Sequence, residues 1–560
     1  MQLERQSRPE KLGLLLGLVV ALIQTPEYEA GVMLQIEPPS PTFMTVTDAL
    51  VGAGGYWQNT DFYNTQFKVL RSKGLGEKVV ARLKLTDREP FKSSPDPAIL
   101  FMGHVGVVPI PESRLVTVTV THHDPQEAAL LKDATQRMRE IAGALHGGRL
   151  PGPGDAVTIR HVVHVGIGGS LLGPRLLCEA FPPRADGPRI HFLSSVDALD
   201  RARLLERIDP RETAVILVSK SFTTSEVLLH AERIRDWQLA TMDREAANQR
   251  LFAVTAAAGK AEDFGVPPDH VLEMGEWTGG RFSVWSPVGV TGAVAMGPDG
   301  FDELLAGGAS MDRHFREAPL SENLPVVLAM LAVWHHNVCG YDVHGLIPYD
   351  SRLAGLPAWL QQVEMESNGK SVDIDGRPVA SATAPVVMGD TGTDAQHALF
   401  QAFHQGTTVV PLDFIGVIQP DHADGEAQRQ LLSHMLAQAT ALAVGRTAEQ
   451  TRALMRNQGA PEAELESLLP HRMMPGDRPS IVMLLDRLTP ANLGRLLVLY
   501  EHMVFVESVV WRINAFDQWG VELGKILASG IQPALSEEGA EVPEDIPGLD
   551  GLVAHIREKL

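Results

Sequence analysis

Cysteine is almost missing from this 560-residue chain, which contains only Cys178 and Cys339. Two cysteines cannot build the disulfide framework that holds many small secreted domains together. Both lie among apolar residues, so we interpret them as buried structural thiols rather than as catalytic groups or a disulfide. This cysteine usage fits a reducing compartment, and we expect a cytoplasmic protein.

Positive charge is also in short supply. Asp and Glu number 69 against 48 Lys and Arg, which gives a formal net charge of −21. Nonspecific nucleic-acid binding needs a basic face, so this balance argues against a nucleic-acid partner. An anionic small substrate is still compatible with the composition, but its site must concentrate positive charge locally.

A long apolar run near the start of the chain is lacking as well. LGLLLGLVVALI spans residues 12–23, and these 12 residues fall short of the roughly 20 that a membrane-spanning helix needs. Arg5, Arg8 and Lys11 precede the run, as in a signal peptide, but no small-x-small cleavage site follows cleanly before Pro26. We predict a packing segment and no membrane span, with a cleaved or anchoring signal as the alternative.

The first 130 residues have clusters of Pro, Gly and Ser between short apolar runs, as in EPPSPTF and FKSSPDP, and no catalytic motif. A regular pattern begins near residue 126. QEAALLKDATQRMREIAGAL has the apolar spacing of an amphipathic helix, and it ends at Gly147-Gly148. We therefore treat residues 1–130 as an irregular N-terminal segment.

Beyond it, short β-branched runs alternate with helical stretches. Buried strands are predicted at 161–167, 189–195, 213–219 and 250–255, and a second series of elements follows. That series has strands at 345–350 and 408–418 and helices at 323–338, 425–445 and 490–510. Such alternation is typical of parallel sheets covered on both faces. We predict an α/β protein with lobes at 131–300 and 301–515 and a helical tail at 516–560.

VGIGGS, residues 165–170, closes a predicted strand just before a helix. Glycines at such a joint let the backbone approach a ligand, and the helix start offers free amides to an anion. A tight turn without a ligand is the alternative. The third glycine of the dinucleotide fingerprint and an acidic ribose partner are both missing, so a dinucleotide site is disfavoured.

A second loop repeats this arrangement. SKSFTTSEV, residues 219–227, gathers hydroxyls at Ser219, Ser221, Thr223 and Thr224 before a helix. Helix capping is the alternative interpretation, but four hydroxyls exceed what one cap needs. Because parallel strands present their carboxyl ends at one edge of a sheet, the two loops together predict a phosphate-binding crevice.

Two further stretches carry groups suited to proton transfer. GGRFSVWSPVG, residues 279–289, holds Arg281, a permanent charge that could stabilise an oxyanion. QQVEMESNGK, residues 361–370, holds Glu364 and Glu366, and a carboxylate can carry a proton between adjacent carbons. Taken singly, an arginine is more often structural and a helix-face glutamate is more often solvated.

GDTGTDAQHALFQAFHQG, residues 389–406, places His397 and His404 seven positions apart, on one face of a predicted helix. Histidine relays protons near neutral pH. A zinc-binding helix would space its histidines four apart with a nearby carboxylate, so no metal site is predicted. FDQWGVELGK, residues 516–525, adds Gln518 and Lys525.

Taken together, these stretches resemble the glucose-6-phosphate isomerase family over about residues 130–528. GGRFSVWS and FDQWGVELGK look like its two signature segments, and MESNGK and QHALFQAFHQG are similar to other family motifs. The resemblance implies two sugar-isomerase (SIS) lobes, each a doubly wound, mainly parallel sheet. It also implies a homodimer that interconverts glucose 6-phosphate and fructose 6-phosphate, in glycolysis and gluconeogenesis, without a metal or cofactor.

The resemblance implies roles as well. Glu366 matches the base that moves a proton between carbon-2 and carbon-1, and Arg281 matches the residue that steadies the enediolate. His397 and Lys525 match the ring-opening residues, and this histidine enters the site from the partner subunit. The remaining matched positions bind the sugar or its phosphate: Gly169, Ser170, Ser219, Lys220, Ser221, Thr223, Thr224, Gln362, Gly280 and Gln518.

The chain departs from the family pattern at several positions. Leu171 follows Ser170 where the family has Asp, and Ser221 replaces a threonine while keeping the hydroxyl. Asp390-Thr391 and Asp394-Ala395 stand where the family has Glu-Pro and Asn-Gly. The family's upstream "LHxALR" pattern is not found in residues 1–130.

Two other functions fit the same residues. A phosphosugar-binding regulator without turnover would need only the two loops, although such a sensor has no need of Glu366 or Lys525. An isomerase acting on another sugar phosphate, such as a mannose derivative, would share every motif, since specificity rests on a few contacts.

Overall fold

The computed structural model describes residues 28–35, 105–109, 115–122, 125–151, 157–185, 187–275, 278–536 and 546–560. The chain divides into two compact units, Met1–Ala129 and Leu130–Leu560. The apolar run at 12–23, with its alternative interpretation as a signal, lies outside the described residues.

The described part of the first unit contains three antiparallel strands, β1 (Tyr28–Gln35), β2 (Val105–Pro109) and β3 (Leu115–His122), in the order β1-β3-β2. Tyr28 pairs with His122 and Val105 with Val120. These strands are not among those predicted from the sequence. The signal was present in β3, where LVTVTVTH alternates β-branched residues.

Helix α1 (Pro125–His146) confirms the amphipathic segment predicted before Gly147-Gly148. Gly148 adopts a φ of +68°, which glycine tolerates without strain, and the chain turns there.

The first sheet of the second unit has five parallel strands in the order β5-β4-β6-β7-β8. Its strands are β4 (His161–Val165), β5 (Arg189–Leu193), β6 (Thr213–Val218), β7 (Leu251–Thr255) and β8 (Val271–Glu273). The first four were predicted. The expectation that β5 is buried is wrong, because β5 forms one edge of the sheet and only its Leu193 is buried.

Apolar residues cover both faces of this sheet. Val162 and Ile216 belong to one core cluster, whereas Val163 and Val215 belong to another. Burial on both faces explains why β6 and β7 are almost continuous apolar runs rather than alternating ones. The helices between and after the strands are α2 (Gly169–Ala180), α3 (Ala198–Leu205), α4 (Ser225–Leu239), α5 (Arg244–Asn248), α6 (Ala258–Phe264) and α7 (Val290–Met296).

The second sheet has four parallel strands in the order β10-β9-β11-β12. They are β9 (Val343–Tyr349), β10 (Val386–Gly389), β11 (Leu412–Gln419) and β12 (Ser480–Arg487). Only β9 and β11 were predicted. The predicted fold class, α/β with two parallel sheets flanked by helices, is confirmed.

The helices of this half include those predicted at 323–338, 425–445 and 490–510. In chain order the helices are α8 (Pro298–Glu317), α9 (Leu324–Val333), α10 (Leu356–Asn368), α11 (Gly392–Ala398), α12 (Phe400–Gln405), α13 (Gly425–Val444), α14 (Ala448–Asn457), α15 (Glu462–Arg472), α16 (Pro490–Trp511), α17 (Glu522–Ser536) and α18 (Leu549–Lys559).

Two local predictions are wrong. Cys339 is exposed rather than buried, because α9 ends in a π-helical turn at Trp334–Val338 and the chain reverses at Gly340. The segment 389–406 is not one helix: α11 and α12 meet at Leu399, so His397 and His404 lie in separate short helices.

Candidate active site

The glycine loop follows β4 and rests on a buried histidine. His164 Nε2 donates to the Ser170 carbonyl at 2.6 Å, and its Nδ1 accepts from the Thr291 hydroxyl at 2.7 Å. Burial lowers the pKa of His164 to about 4, so the ring is neutral and each ring nitrogen has one partner. The hydrogen bonds of His164 therefore fix the glycine loop at the start of α2.

Gly169 is required by a close backbone contact. A Cβ at this position would lie 2.1 Å from the carbonyl carbon and oxygen of Gly280. No side chain fits at that distance. The glycine loop thus packs directly on the segment that carries Arg281.

The hydroxyl loop follows β6. Ser219 and Thr224 hydroxyls lie 2.9 Å apart, and Ser221 and Thr223 hydroxyls 2.6 Å apart. Thr224 occupies the N-cap of α4, but its side chain makes no capping hydrogen bond. The capping interpretation therefore does not account for these hydroxyls, and the amides at the start of α4 have no side-chain cap.

Positive charge gathers beside this loop. Lys220 Nζ donates to the Thr278 carbonyl at 3.2 Å, which ties the hydroxyl loop to the segment before Arg281. Lys260 Nζ donates to the Ser221 carbonyl at 3.2 Å. Lys260 is not among the site residues predicted from the sequence, since it lies on α6, outside every predicted site motif.

Arg281 is buried, and its guanidinium joins distant parts of the chain. Nε donates to the Ser367 hydroxyl at 2.6 Å, and Nη1 donates to Gln518 Oε1 at 3.1 Å. Nη2 donates to the carbonyl oxygens of Ala515 and Asp517. Burial lowers the pKa of Arg281, whereas Glu366 and Asp517 oppose that shift. An arginine remains charged in such surroundings.

Glu366 lies in the last turn of α10, partly open to solvent. Its Oε2 is 3.6 Å from Arg281 Nη1, and it accepts from Gln362 Nε2 at 3.0 Å. The same Gln362 nitrogen would lie 3.1 Å from a Cβ built on Gly168, so this side chain also borders the glycine loop. The structure therefore brings Gly169, Ser170, Gly280, Arg281, Gln362, Glu366 and Gln518 together.

Lys370 and Asp517 belong to the motifs QQVEMESNGK and FDQWGVELGK, but no role is predicted for them from the sequence. Lys370 Nζ donates to the carbonyls of Glu366 and Ser367 at 2.8 and 2.7 Å and to the Asp517 carbonyl at 3.0 Å. It also lies 3.6 Å from Asp517 Oδ1. Burial lowers the pKa of Lys370, and the negative charge of Asp517 opposes that shift. Lys370 thus ties the end of α10 to the segment after α16.

His397 and Lys525 are not part of this arrangement. Both are exposed, and neither makes a hydrogen bond or ion pair with any residue that the structure describes. His404 instead binds Gln438 Oε1 at 2.8 Å. The segment around Lys525 exposes large apolar side chains, including Trp519 at 71% and Ile526 at 66%.

Within the described ranges, no three His, Cys, Asp or Glu side chains are grouped as metal ligands. No described helix is both long and apolar enough to cross a membrane.

Two parallel sheets, an anion-compatible pair of strand-end loops, and a carboxylate beside a fixed guanidinium define an enzyme of the aldose–ketose isomerase class acting on phosphosugars. The family model described as phosphoglucose isomerase matches residues 113–549. The chain belongs to the phosphoglucose isomerase family.

Individual relatives agree. A glucose-6-phosphate isomerase of Cereibacter sphaeroides is 47% identical over 433 residues, covering 76% of this chain and 79% of that protein. One from Brucella ovis is 45% identical over 431 residues, covering 77% and 78%. The crystal structure of a Chlamydia trachomatis glucose-6-phosphate isomerase superposes with a TM-score of 0.65 at 32% identity, covering 78% of this chain and 79% of the other.

Proposed function

We propose that this crevice interconverts glucose 6-phosphate and fructose 6-phosphate through an enediolate, a step shared by glycolysis and gluconeogenesis. The observation that carries the proposal is the Glu366 carboxylate 3.6 Å from the buried guanidinium of Arg281. Both groups border the glycine loop. A base and a fixed cation are what proton transfer next to a carbonyl needs.

The sugar phosphate binds at the two loops. Ser219, Ser221, Thr223 and Thr224 supply hydroxyls, and the starts of α2 and α4 supply amides without side-chain caps. Lys220 and Lys260 supply the local positive charge that an overall acidic chain must provide for a dianionic ligand. Gly280, where a Cβ would meet nothing within 4 Å, leaves room beside the backbone for the sugar, and Gly169 and Ser170 border that space.

Glu366 takes the proton from carbon-2 of the open-chain aldose and returns it to carbon-1. The charge that develops on the enediolate oxygens is stabilised by Arg281, whose position is fixed by four residues from two chain segments and needs no reorganisation during the reaction. Gln362 orients the carboxylate, and Gln518 orients the guanidinium.

Ring opening falls to His397 and Lys525. Since both are exposed, we propose that His397 acts in the site of a second copy and that the enzyme is a homodimer. Lys525 reaches the substrate when the exposed apolar side chains of its segment become buried. We also propose a cytoplasmic location, where sugar phosphates are metabolised, and no metal or organic cofactor.

A coupled assay with fructose 6-phosphate tests the proposal. We expect turnover by the purified chain, and a loss of roughly 10²- to 10⁴-fold in Glu366→Gln, because general-base catalysis contributes on that order. Glu232→Gln is the matched control, since Glu232 is an exposed glutamate of α4. Binding without turnover would favour the phosphosugar-binding regulator. Faster turnover of another sugar phosphate would favour an isomerase with that substrate.

Sedimentation of the active enzyme tests the homodimer. An active monomer would contradict the proposed role of His397 across an interface.

A further inference from the structure

A cluster of buried polar groups lies behind the base, on the other side of α10. Asn368 Nδ2 donates to Glu364 Oε1 at 3.2 Å within its own helix. The same nitrogen donates to the Val504 carbonyl at 3.1 Å and to Glu507 Oε2 at 3.2 Å, both on α16. Glu364, Asn368 and Glu507 are at most 1% exposed, so they make these contacts out of water.

The cluster has more acceptors than donors. Glu364 Oε2, Glu507 Oε1 and Asn368 Oδ1 are buried without a hydrogen-bond partner. A proton on the carboxyl pair supplies the missing donor, because one oxygen of each carboxyl group lies 3.2 Å from the same Asn368 nitrogen and the two groups are therefore neighbours. Two charged carboxylates could not stay together in this position, whereas one carboxylic acid and one carboxylate can.

Burial raises the pKa of both carboxyl groups, and the neighbouring Glu364 raises the pKa of Glu507 further, so the pair holds one proton between them. His344, which lies 3.1 Å from Asp413, favours the negative charge that the pair keeps.

The position of the cluster links it to the reacting groups. Asn368 and Glu364 share the last two turns of α10 with Glu366, the base, and with Ser367, which accepts from Arg281. Glu507 stands one turn before the end of α16, and the segment after α16 supplies the Ala515 and Asp517 carbonyls to the same arginine. Helix α10 and the segment that directly follows α16 therefore both supply ligands to Arg281.

We propose that Glu507, Glu364 and Asn368 are positioning residues, which hold α10 and α16 in the register that sets the Glu366 carboxylate against Arg281. This inference rests on the proposed function. A shift of about 1 Å between reacting groups costs roughly 10²-fold in rate. Loss of the buried hydrogen bonds between α10 and α16 can therefore lower the rate by displacing Glu366 relative to Arg281.

The test compares variants that do and do not keep the hydrogen bond. Glu507→Gln retains a donor of nearly the same shape, and Glu507→Leu removes it. Met435→Ala, in the buried contact of α13 with the second sheet, is the control for a general loss of stability. We would measure kcat and KM with fructose 6-phosphate, together with thermal unfolding, for the wild type and each variant.

We expect Glu507→Leu to lower kcat by about 10- to 100-fold, because the base is displaced, with KM changed less than about threefold, because the phosphate loops are untouched. Glu507→Gln and Met435→Ala should stay within about threefold of the wild-type kcat. A wild-type kcat in Glu507→Leu, or an equal loss in Glu507→Gln or Met435→Ala, would overturn the inference.

If Glu507→Leu does not fold, Asn368→Ala decides the question. The same fall in kcat is expected, and a wild-type kcat in this variant would contradict the positioning role. An inactive wild type would count against the proposed function, whereas an active wild type with an unaffected leucine variant would count against the cluster alone.

Discussion

Replacing Arg281 by lysine keeps the charge but removes the geometry. The guanidinium donates to Ser367, Ala515, Asp517 and Gln518 in four directions at once. A lysine ammonium has three donors on one nitrogen and cannot reproduce that planar fork. The positive charge must therefore retreat from Glu366 toward one subset of the partners.

The structure sets the size of the effect. At the 3.6 Å that separates the two charged groups, the Coulomb energy at an effective dielectric constant of 20 is about 4.6 kcal/mol. A retreat of about 2 Å leaves about 3.0 kcal/mol. The same loss applied to the enediolate raises the barrier by about 1.6 kcal/mol, or roughly 15-fold, and the misplaced base adds to it. We expect kcat to fall by about 10- to 100-fold.

The assay is steady-state turnover of fructose 6-phosphate, with unfolding followed in parallel. Arg250→Lys is the matched control, because Arg250 is also buried and its side chain donates to the carbonyls of Arg211 and Ala246, both within the first lobe. It should lose stability without losing kcat. A folded Arg281→Lys enzyme with the wild-type kcat would refute the reasoning.

Three further predictions follow from the same contacts. Between pH 6.5 and pH 4, His164 binds a proton in the unfolded chain, where its pKa is about 6.5, but not in the native protein, where its pKa is about 4. The free energy of unfolding should therefore fall by about 3 kcal/mol between pH 6.5 and pH 4 because of this residue. In chemical denaturation, His164→Asn should weaken that dependence on pH. Gly169→Ala should lower kcat/KM at least about tenfold, because its methyl group would collide with Gly280. In a thiol titration Cys339 should react in the native protein and Cys178 only after unfolding, because Cys178 is buried and its pKa is raised.

The first two of these predictions have control variants. His422→Asn, at an exposed position, should leave the pH dependence as it is. Gly259→Ala, where a Cβ meets nothing within 4 Å, should keep full activity. Equal reactivity of both thiols in the native protein would contradict the burial of Cys178.

The central strands of each sheet could be predicted from the sequence, whereas three of the four edge strands, β8, β10 and β12, could not. Strands β6 and β7 are almost continuous apolar runs, since both faces are covered, and such runs stand out. In β4 the valines are flanked by His161 and His164. β8 has three residues and β12 alternates exposed with half-buried positions, so neither has the length or composition of a buried strand. The break at Leu399 has no glycine or proline to signal it.

The candidate site was predictable as a set of side chains but not as a set of contacts. The motifs already contain Arg281, Glu366 and Gln518. The carbonyls of Ala515 and Asp517 that bind Arg281 belong to the backbone, and a backbone group leaves no trace in residue identity. Lys260 was missed for another reason, since a lysine on a helix is ordinarily solvated.

The binding of Arg281 to carbonyls near the C-terminus bears on how the protein is made. Ala515 follows Arg281 by 234 positions. At about 5 to 20 residues per second a ribosome needs roughly 12 to 47 s to cover that stretch. During that time Arg281 of the nascent first lobe lacks its carbonyl ligands at Ala515 and Asp517. A chain that stalls before residue 515 can form the strands of the first lobe but cannot complete the site around Arg281.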